Sequence, residues 1–147
     1  MTATIRVATA GDFAAVVRLL EAADLPRAGL KPTLPDFLVA EEGGRIVGAI
    51  GLELYGEYGL LRSAVVAEGR RATGLGTDLV ESLVRRAESR GARVIYLLTT
   101  TAERFFPRFG FSAISRGEVA GPVQASEEFQ GACPDSAVVM RRVAKAG

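Results

Sequence analysis

Two hydrophobic periods alternate along the chain and mark out its elements. "TIRVATAGD" opens with every second residue apolar and predicts a short strand ending near Gly11–Asp12. In "DFAAVVRLLEAADLP", Phe13, Val16, Val17 and Leu20 recur at helical spacing, with Asp12 placed as N-cap and Pro26 as the stop. Residues 27–36 hold Gly29, Pro32 and Pro35 and read as a loop with room for a helical turn. Strands follow at 37–41 and 45–54, joined by the glycine turn "EGGR", and "YGEYG" turns the chain into a third at 60–67.

The clearest helix comes next. Leu79, Val80, Leu83, Val84 and Ala87 form an apolar stripe opposite Asp78, Glu81, Arg85 and Glu88, and Gly91 stands at the C-terminal glycine position. "RVIYLLTT" predicts a buried strand, "AERFFPRFG" a short helix shortened or kinked by Pro107, and "FSAIS" another strand. A short helix around "VQASEEF" and a closing strand "AVVMRRVA" complete the order β-α-β-β-β-α-β-α-β-β. That order predicts one α+β domain with a mixed sheet over residues 1–147.

Composition narrows the chemistry. With 18 basic and 17 acidic residues the formal charge is +1, so no overall field gathers nucleic acid or acidic membrane, and neither is expected as a partner. The chain has no histidine, which excludes a Ser-His-Asp triad and a histidine-dependent zinc site; no metal is expected. Its single cysteine, Cys133, precludes an intrachain disulfide. No run approaches the roughly 20 apolar residues of a membrane span, and the opening "MTATIRVATAGDF" lacks the apolar core of a signal peptide. The expectation is a cytoplasmic protein.

One segment exceeds what a strand-to-helix turn needs. "VVAEGRRATGLG" sets two arginines and two glycines between an apolar strand and the amphipathic helix. Gly74 and Gly76 allow close approach of backbone and ligand, the helix start offers unpaired N–H groups, and Arg71, with or without Arg70, adds charge-assisted bonds. These features suit a phosphate or pyrophosphate. A glycine-softened turn with solvated arginines accounts for the glycine spacing equally well.

Arg71-x-x-Gly74-x-Gly76 after Val65-Val66 resembles motif A of the GCN5-related N-acetyltransferases (GNATs), and "YLLTTTAERFFPRFGF" is similar to that family's fifth strand, next helix and "GF" strand start. The resemblance covers nearly the whole chain. It implies the family's α+β fold, with a mostly antiparallel mixed sheet whose central strands splay, and acetyl-CoA as co-substrate. Motif match assigns Val65, Val66 and Ala67 to the pantetheine arm and Arg71, Ala72, Thr73, Gly74, Leu75, Gly76 and Thr77 to the pyrophosphate. It sets Arg62, Ser63, Ala64, Thr99 and Thr100 near the thioester. "LLRSAVV", "EVAGPVQASEEF" and "ACPDSAVVM" narrow the resemblance to the arsenic-resistance branch, whose members acetylate the α-amine of an arsenic-containing glutamate analogue.

Acetyl transfer needs a neutral amine, a polarised carbonyl and a route for the leaving thiolate. The backbone N–H near Val66 is the candidate for polarising the carbonyl. The family often has a tyrosine acid four residues before the glycine of "GF"; here that position is Phe106, which has no proton to give. Ser63 or a water is the substitute, or the thiolate leaves unprotonated. Glu53, then Glu41 and Glu42, are candidate bases, or else ordinary strand-end charges. Arg62, in an otherwise apolar strand, either pairs with Glu53 or holds an oxyanion of the acceptor. Thr99 and Thr100 either fill the strand or line the acceptor pocket, and Phe105, Phe106 and Phe109 build core. The expected partner is a small amino-acid-like amine. A peptide acceptor and a non-catalytic acyl-CoA sensor are the alternatives, and a homodimer through the closing strand is compatible with the pattern.

Overall fold

The computed structural model describes residues 3–71, 73–126, 129 and 137–144. The chain runs β1 (Thr4–Val7), α1 (Phe13–Ala22), β2 (Phe37–Glu42), β3 (Arg45–Tyr55), β4 (Tyr58–Val66), α2 (Leu75–Ser89), β5 (Val94–Thr99), β6 (Ser112–Ile114), α3 (Gly121–Gln124) and β7 (Val138–Val143). The strands form one sheet in the order β1-β2-β3-β4-β5-β7-β6. Every neighbouring pair is antiparallel except β4 and β5. This is the expected α+β architecture.

Strand periodicity explains the layers. Along β2, Leu38 and Ala40 join the cluster built on Leu79 and Leu83 of α2, whereas Phe37 and Val39 join the one built on Val16 and Leu20 of α1. Alternate residues point to opposite faces, so the two helices cover opposite sides of the sheet. With both faces covered, β3 reads as a continuous apolar run, and Val47 through Leu52 are all buried.

Two irregularities shape the centre of the sheet. The first is a bulge. Between the pairs Ala49↔Val65 and Gly51↔Arg62, the single residue Ile50 of β3 faces Ser63 and Ala64 of β4. Ser63 takes φ 58°, a backbone setting that a serine adopts only when its surroundings hold it there. The second is a parting of strands. β4 and β5 pair only from Tyr58↔Val94 to Leu60↔Tyr96. Beyond that, β4 stays with β3 out to Val66, and β5 stays with β7 out to Thr99.

Several local expectations are corrected. β1 stops at Val7, and Ala10–Asp12 is a 3₁₀ turn. Asp12 precedes α1 but does not cap it; its carboxylate turns back to accept the Thr9 N–H at 2.8 Å and two bonds from Arg6. The helix expected in "AERFFPRFG" is one 3₁₀ turn, Phe106–Phe109, because Pro107 offers no N–H and Gly110 turns the chain left-handed at φ 89°. Of the short helix expected around "VQASEEF", Val123 and Gln124 belong to the turn of α3 and Phe129 is helical, while Glu127, Glu128 and Cys133 lie outside the described residues. The closing strand is not an edge: β7 pairs with β5 on one side and with β6, over Val139–Arg141, on the other. A dimer built by extending the sheet from β7 is therefore blocked over those residues.

Candidate functional site: the cleft between parted strands

A cleft of about 1420 Å³ opens where β4 and β5 separate. One wall is β4 from Leu61 to Val66, and the other is the end of β5 and the turn that follows, to Phe106. Gly74, Gly76 and Thr77 of the loop into α2 border one end, and residues 24–28 after α1 border it as well.

The β4 wall offers backbone. The Ala67 N–H donates to the Val47 carbonyl at 2.8 Å, and Gly48 faces Val66 in register. Antiparallel alternation then turns the N–H and C=O of Val66 away from β3, toward the edge that β5 has left. Val65 and Ala67 turn theirs toward β3. Of the three residues expected to present backbone groups, only Val66 does so. Its carbonyl accepts Arg71 Nε at 3.2 Å.

The anion end follows from the chain's path. After a 3₁₀ turn at Glu68–Arg70, Gly74 takes φ 85°, where a side chain would be strained, and α2 starts at Leu75. The Asp78 N–H bonds to Gly74 O at 3.1 Å; those of Leu75, Gly76 and Thr77 precede it and have no acceptor within the helix. The positive end of the helix dipole is added to them. Gly76 has a different reason to be glycine. A Cβ there would meet Phe105 Cζ at 3.6 Å and Val66 Cγ2 at 3.9 Å, ordinary contacts, so packing within the chain does not demand the missing side chain.

Some residues of this loop do not face the cleft. Thr73 donates its hydroxyl to Arg70 O at 2.5 Å, the Leu75 side chain is buried in the core, and Ala72 lies outside the described residues. Arg70 is committed elsewhere: its Nε donates to Glu42 Oε1 at 2.8 Å and Nη2 to the same oxygen, so it is not part of the anion site. That contact holds the Glu42 carboxyl below its ordinary range.

At the bulge lies a buried cation. Arg62 is 3% exposed; it donates from Nη1 to Glu53 Oε2 at 2.7 Å and from Nε to Ser63 Oγ at 3.0 Å. The register Gly51↔Arg62 and Glu53↔Leu60 makes the ion pair a diagonal one on a shared face. The other Glu53 oxygen accepts the Tyr55 hydroxyl, and burial together with that contact raises the Tyr55 phenol above its ordinary range. Glu53 does not line the cleft, and both its oxygens carry hydrogen bonds. The expectation of Glu53 as a base is therefore corrected: it sits behind Arg62. The other candidates are tied as well, Glu41 to Arg6 at 2.9 Å and Glu42 to Arg70.

On the opposite wall, Thr99 and Thr100 both line the cleft. Thr99 also shapes it, since its hydroxyl accepts the Ala102 N–H at 2.9 Å and fixes the turn after β5. Phe106, 5% exposed, stands edge-on to Phe105 and Phe111 and closes this wall with carbon alone. Two cleft residues carried no sequence signal beyond their charge: Arg27 and Arg108. Among the described residues there is no group of three His, Cys, Asp or Glu placed to hold a metal, and no helix long and apolar enough to cross a membrane.

Known proteins share this fold. A family model described as the Acetyltransferase (GNAT) family matches residues 12–111. An amino-acid acetyltransferase of Ralstonia nicotianae is 31% identical over 116 residues, 73% of this chain and 26% of that protein. The chain thus spans about a quarter of that relative's length. N-acetylglutamate synthase from Neisseria gonorrhoeae, complexed with coenzyme A and N-acetyl-glutamate, matches 99% of this chain and 36% of its own at a TM-score of 0.83 and 19% identity. Rv2747 from Mycobacterium tuberculosis, in complex with CoA and NLQ, covers 95% of this chain and 98% of its own at a TM-score of 0.81 and 22% identity. At such identities the solved structures establish a shared fold.

Proposed function

Since the chain belongs to the acetyltransferase (GNAT) family, we propose that it is an acetyl-CoA-dependent N-acetyltransferase acting on a small amino-acid-like amine with an anionic tail. One observation carries the reading. The open edge of β4 presents the Val66 N–H to a cleft that has unpaired helix N–H groups at one end and a buried guanidinium beside the bulge.

Each part fits a portion of the reaction. Arg71 and the N–H groups from Gly74 to Thr77 suit a pyrophosphate. Val66 suits the pantetheine arm and the thioester carbonyl, where an aimed N–H stabilises developing negative charge. Acetyl-CoA supplies the activated acetyl group. The acceptor nitrogen attacks the carbonyl carbon, a C–N bond forms, the C–S bond breaks, and the thiolate takes the electron pair. A peptide α-amine has an ordinary pKa near 8, and that of a free amino acid is raised further by its own carboxylate, so the amine must give up its proton to solvent or a cleft water before it attacks. Phe106 cannot protonate the thiolate; Ser63, beside Arg62, and solvent remain for that step.

Arg62 favours an acceptor with an oxyanion, because a guanidinium recognises carboxylate-like groups through its planar fork. The amino-acid acceptors in the names of the similar proteins support this class. An arsenic-containing glutamate analogue is the narrower form of the same reading, since its tail is also an oxyanion. The single cysteine and the need for acetyl-CoA support a cytoplasmic location.

Thiol release from acetyl-CoA tests the proposal directly. Purified protein is assayed with glutamate, phosphinic and arsinic glutamate analogues, neutral amino acids and short peptides. Selective turnover of an acidic-tailed amino acid is the expected result. Turnover of peptides alone would overturn the acceptor class. Binding of acetyl-CoA without turnover of any amine would favour a cofactor sensor, the reading to which the carbon-only wall at Phe106 lends weight.

A further inference from the structure

Past the phosphate end of the cleft lies a second cavity of about 590 Å³, bounded by Thr101, Ala102, Glu103, Arg104, Phe105 and Arg108. It shares Phe105 and Arg108 with the main cleft. Arg108 lays its guanidinium over the Phe105 ring, 4.9 Å from the ring centre. The far side of that contact is the first turn of α2, since Phe105 Cζ stands 3.6 Å from where a Gly76 Cβ would be. One aromatic ring therefore separates the guanidinium from the unpaired N–H groups of the helix. Arg108 is exposed and has no salt bridge among the described residues, whereas Arg6, Arg62, Arg70, Arg86, Arg90, Arg141 and Arg142 all do. Glu103 shares the cavity and bears the opposite charge; Arg104, also there, offsets it.

A donor with its diphosphate on the α2 turn has a further anion close by. Coenzyme A carries a 3′-phosphate on the ribose adjoining its diphosphate, and that phosphate is what distinguishes it from dephospho-coenzyme A. We propose that the side cavity receives the 3′-phosphorylated ribose, with Arg108 as the residue that pairs with the 3′-phosphate and selects coenzyme A over its dephospho form. The inference rests on the acetyl-CoA reading above. The Phe105 ring holds the guanidinium through a cation–π contact, and no hydrogen bond or salt bridge among the described residues engages its donors, which can therefore serve phosphate oxygens.

Calorimetric titration of the purified protein with coenzyme A and with dephospho-coenzyme A separates the two readings without turnover. The wild type is expected to bind coenzyme A about tenfold more tightly, the size of a charge-assisted bond at a partly exposed site. Arg108→Ala is expected to lower affinity for coenzyme A toward that for the dephospho form and to leave the latter unchanged. Arg108→Lys, which keeps charge but loses the fork, is expected to fall between. Equal weakening of both ligands would overturn the assignment and put Arg108 on the shared diphosphate or on Phe105 packing. A wild type that binds both equally would overturn it too. A wild type that binds neither would remove the acetyl-CoA reading along with it.

Discussion

Arg62 is a cation where burial alone would not tolerate one, 3% exposed in a strand of Leu, Ala and Val. Its partners make it stable there: Glu53 Oε2 takes Nη1, and Ser63 Oγ takes Nε. A buried guanidinium held from behind by a carboxylate is pre-set rather than searching, which lowers the ordering cost of binding an oxyanion. Arg62→Ala is expected to reduce kcat/KM for an acidic-tailed acceptor about 30-fold or more, as loss of a buried charged hydrogen bond does, with acetyl-CoA affinity unchanged. Glu53→Gln keeps the shape but not the charge, and its smaller loss should appear mainly in KM. Steady-state kinetics on acidic-tailed and neutral-tailed amines decide the matter. Equal losses on both would mean that Arg62 supports the bulge and not the acceptor.

Among the elements, α2 carries two separable demands, at its start and along its stripe. Gly74 needs its left-handed φ of 85°, but Gly76 has space for a methyl group. Gly76→Ala should therefore leave the melting temperature equal or raised, by as much as about 1 kcal/mol of helix preference, while coenzyme A affinity falls because the methyl projects where the ligand approaches. A variant that binds coenzyme A normally would show that the glycine has no ligand to accommodate. Gly51 is the opposite case. A Cβ there would lie 2.3 Å from the Phe37 ring, which is itself buried. Gly51→Ala should cost roughly 1–3 kcal/mol in urea unfolding, since the clash is inside a packed core.

The same elements show what a sequence discloses. The stripe of α2 was legible because Leu79, Val80, Leu83, Val84 and Ala87 face one way, and all are buried. The strands were legible from apolar runs between glycine turns. The direction of the Val65–Ala67 backbone was not, because N–H orientation depends on pairing register, which side-chain pattern specifies only by face. The bulge was hidden for a related reason: Ser63 adopts φ 58° with no glycine to announce it. Arg70 and Arg71 look alike in sequence, and only the proximity of Glu42, 28 residues earlier, separates them.

For the molecule as a whole, an ionic junction adds to the backbone ladder between β1 and β2 and gives stability a defined acid limb. Arg6 donates Nη1 and Nη2 to Asp12 at 2.8 and 3.0 Å and Nε to Glu41 at 2.9 Å, joining β1, the approach to α1, and β2. Chiefly through the Arg6 bond, and despite burial, the Asp12 carboxyl is lowered from 3.8 to about 2. A group that is more acidic in the folded state adds stability above its unfolded pKa and loses it as pH falls through the folded one. The contribution is thus full above about pH 5 and fades between about 4 and 2. With the Asp12 side chain 10% exposed, the shift corresponds to roughly 2 kcal/mol. Asp12→Asn retains an oxygen for the Thr9 N–H but no charge. Urea unfolding of wild type and variant should show a gap of that order at pH 7 and 5 that narrows steadily toward pH 2.5. Comparing the two chains at each pH removes the other carboxylates from the difference. A gap of constant size would mean that shape, and not charge, holds β1 in place.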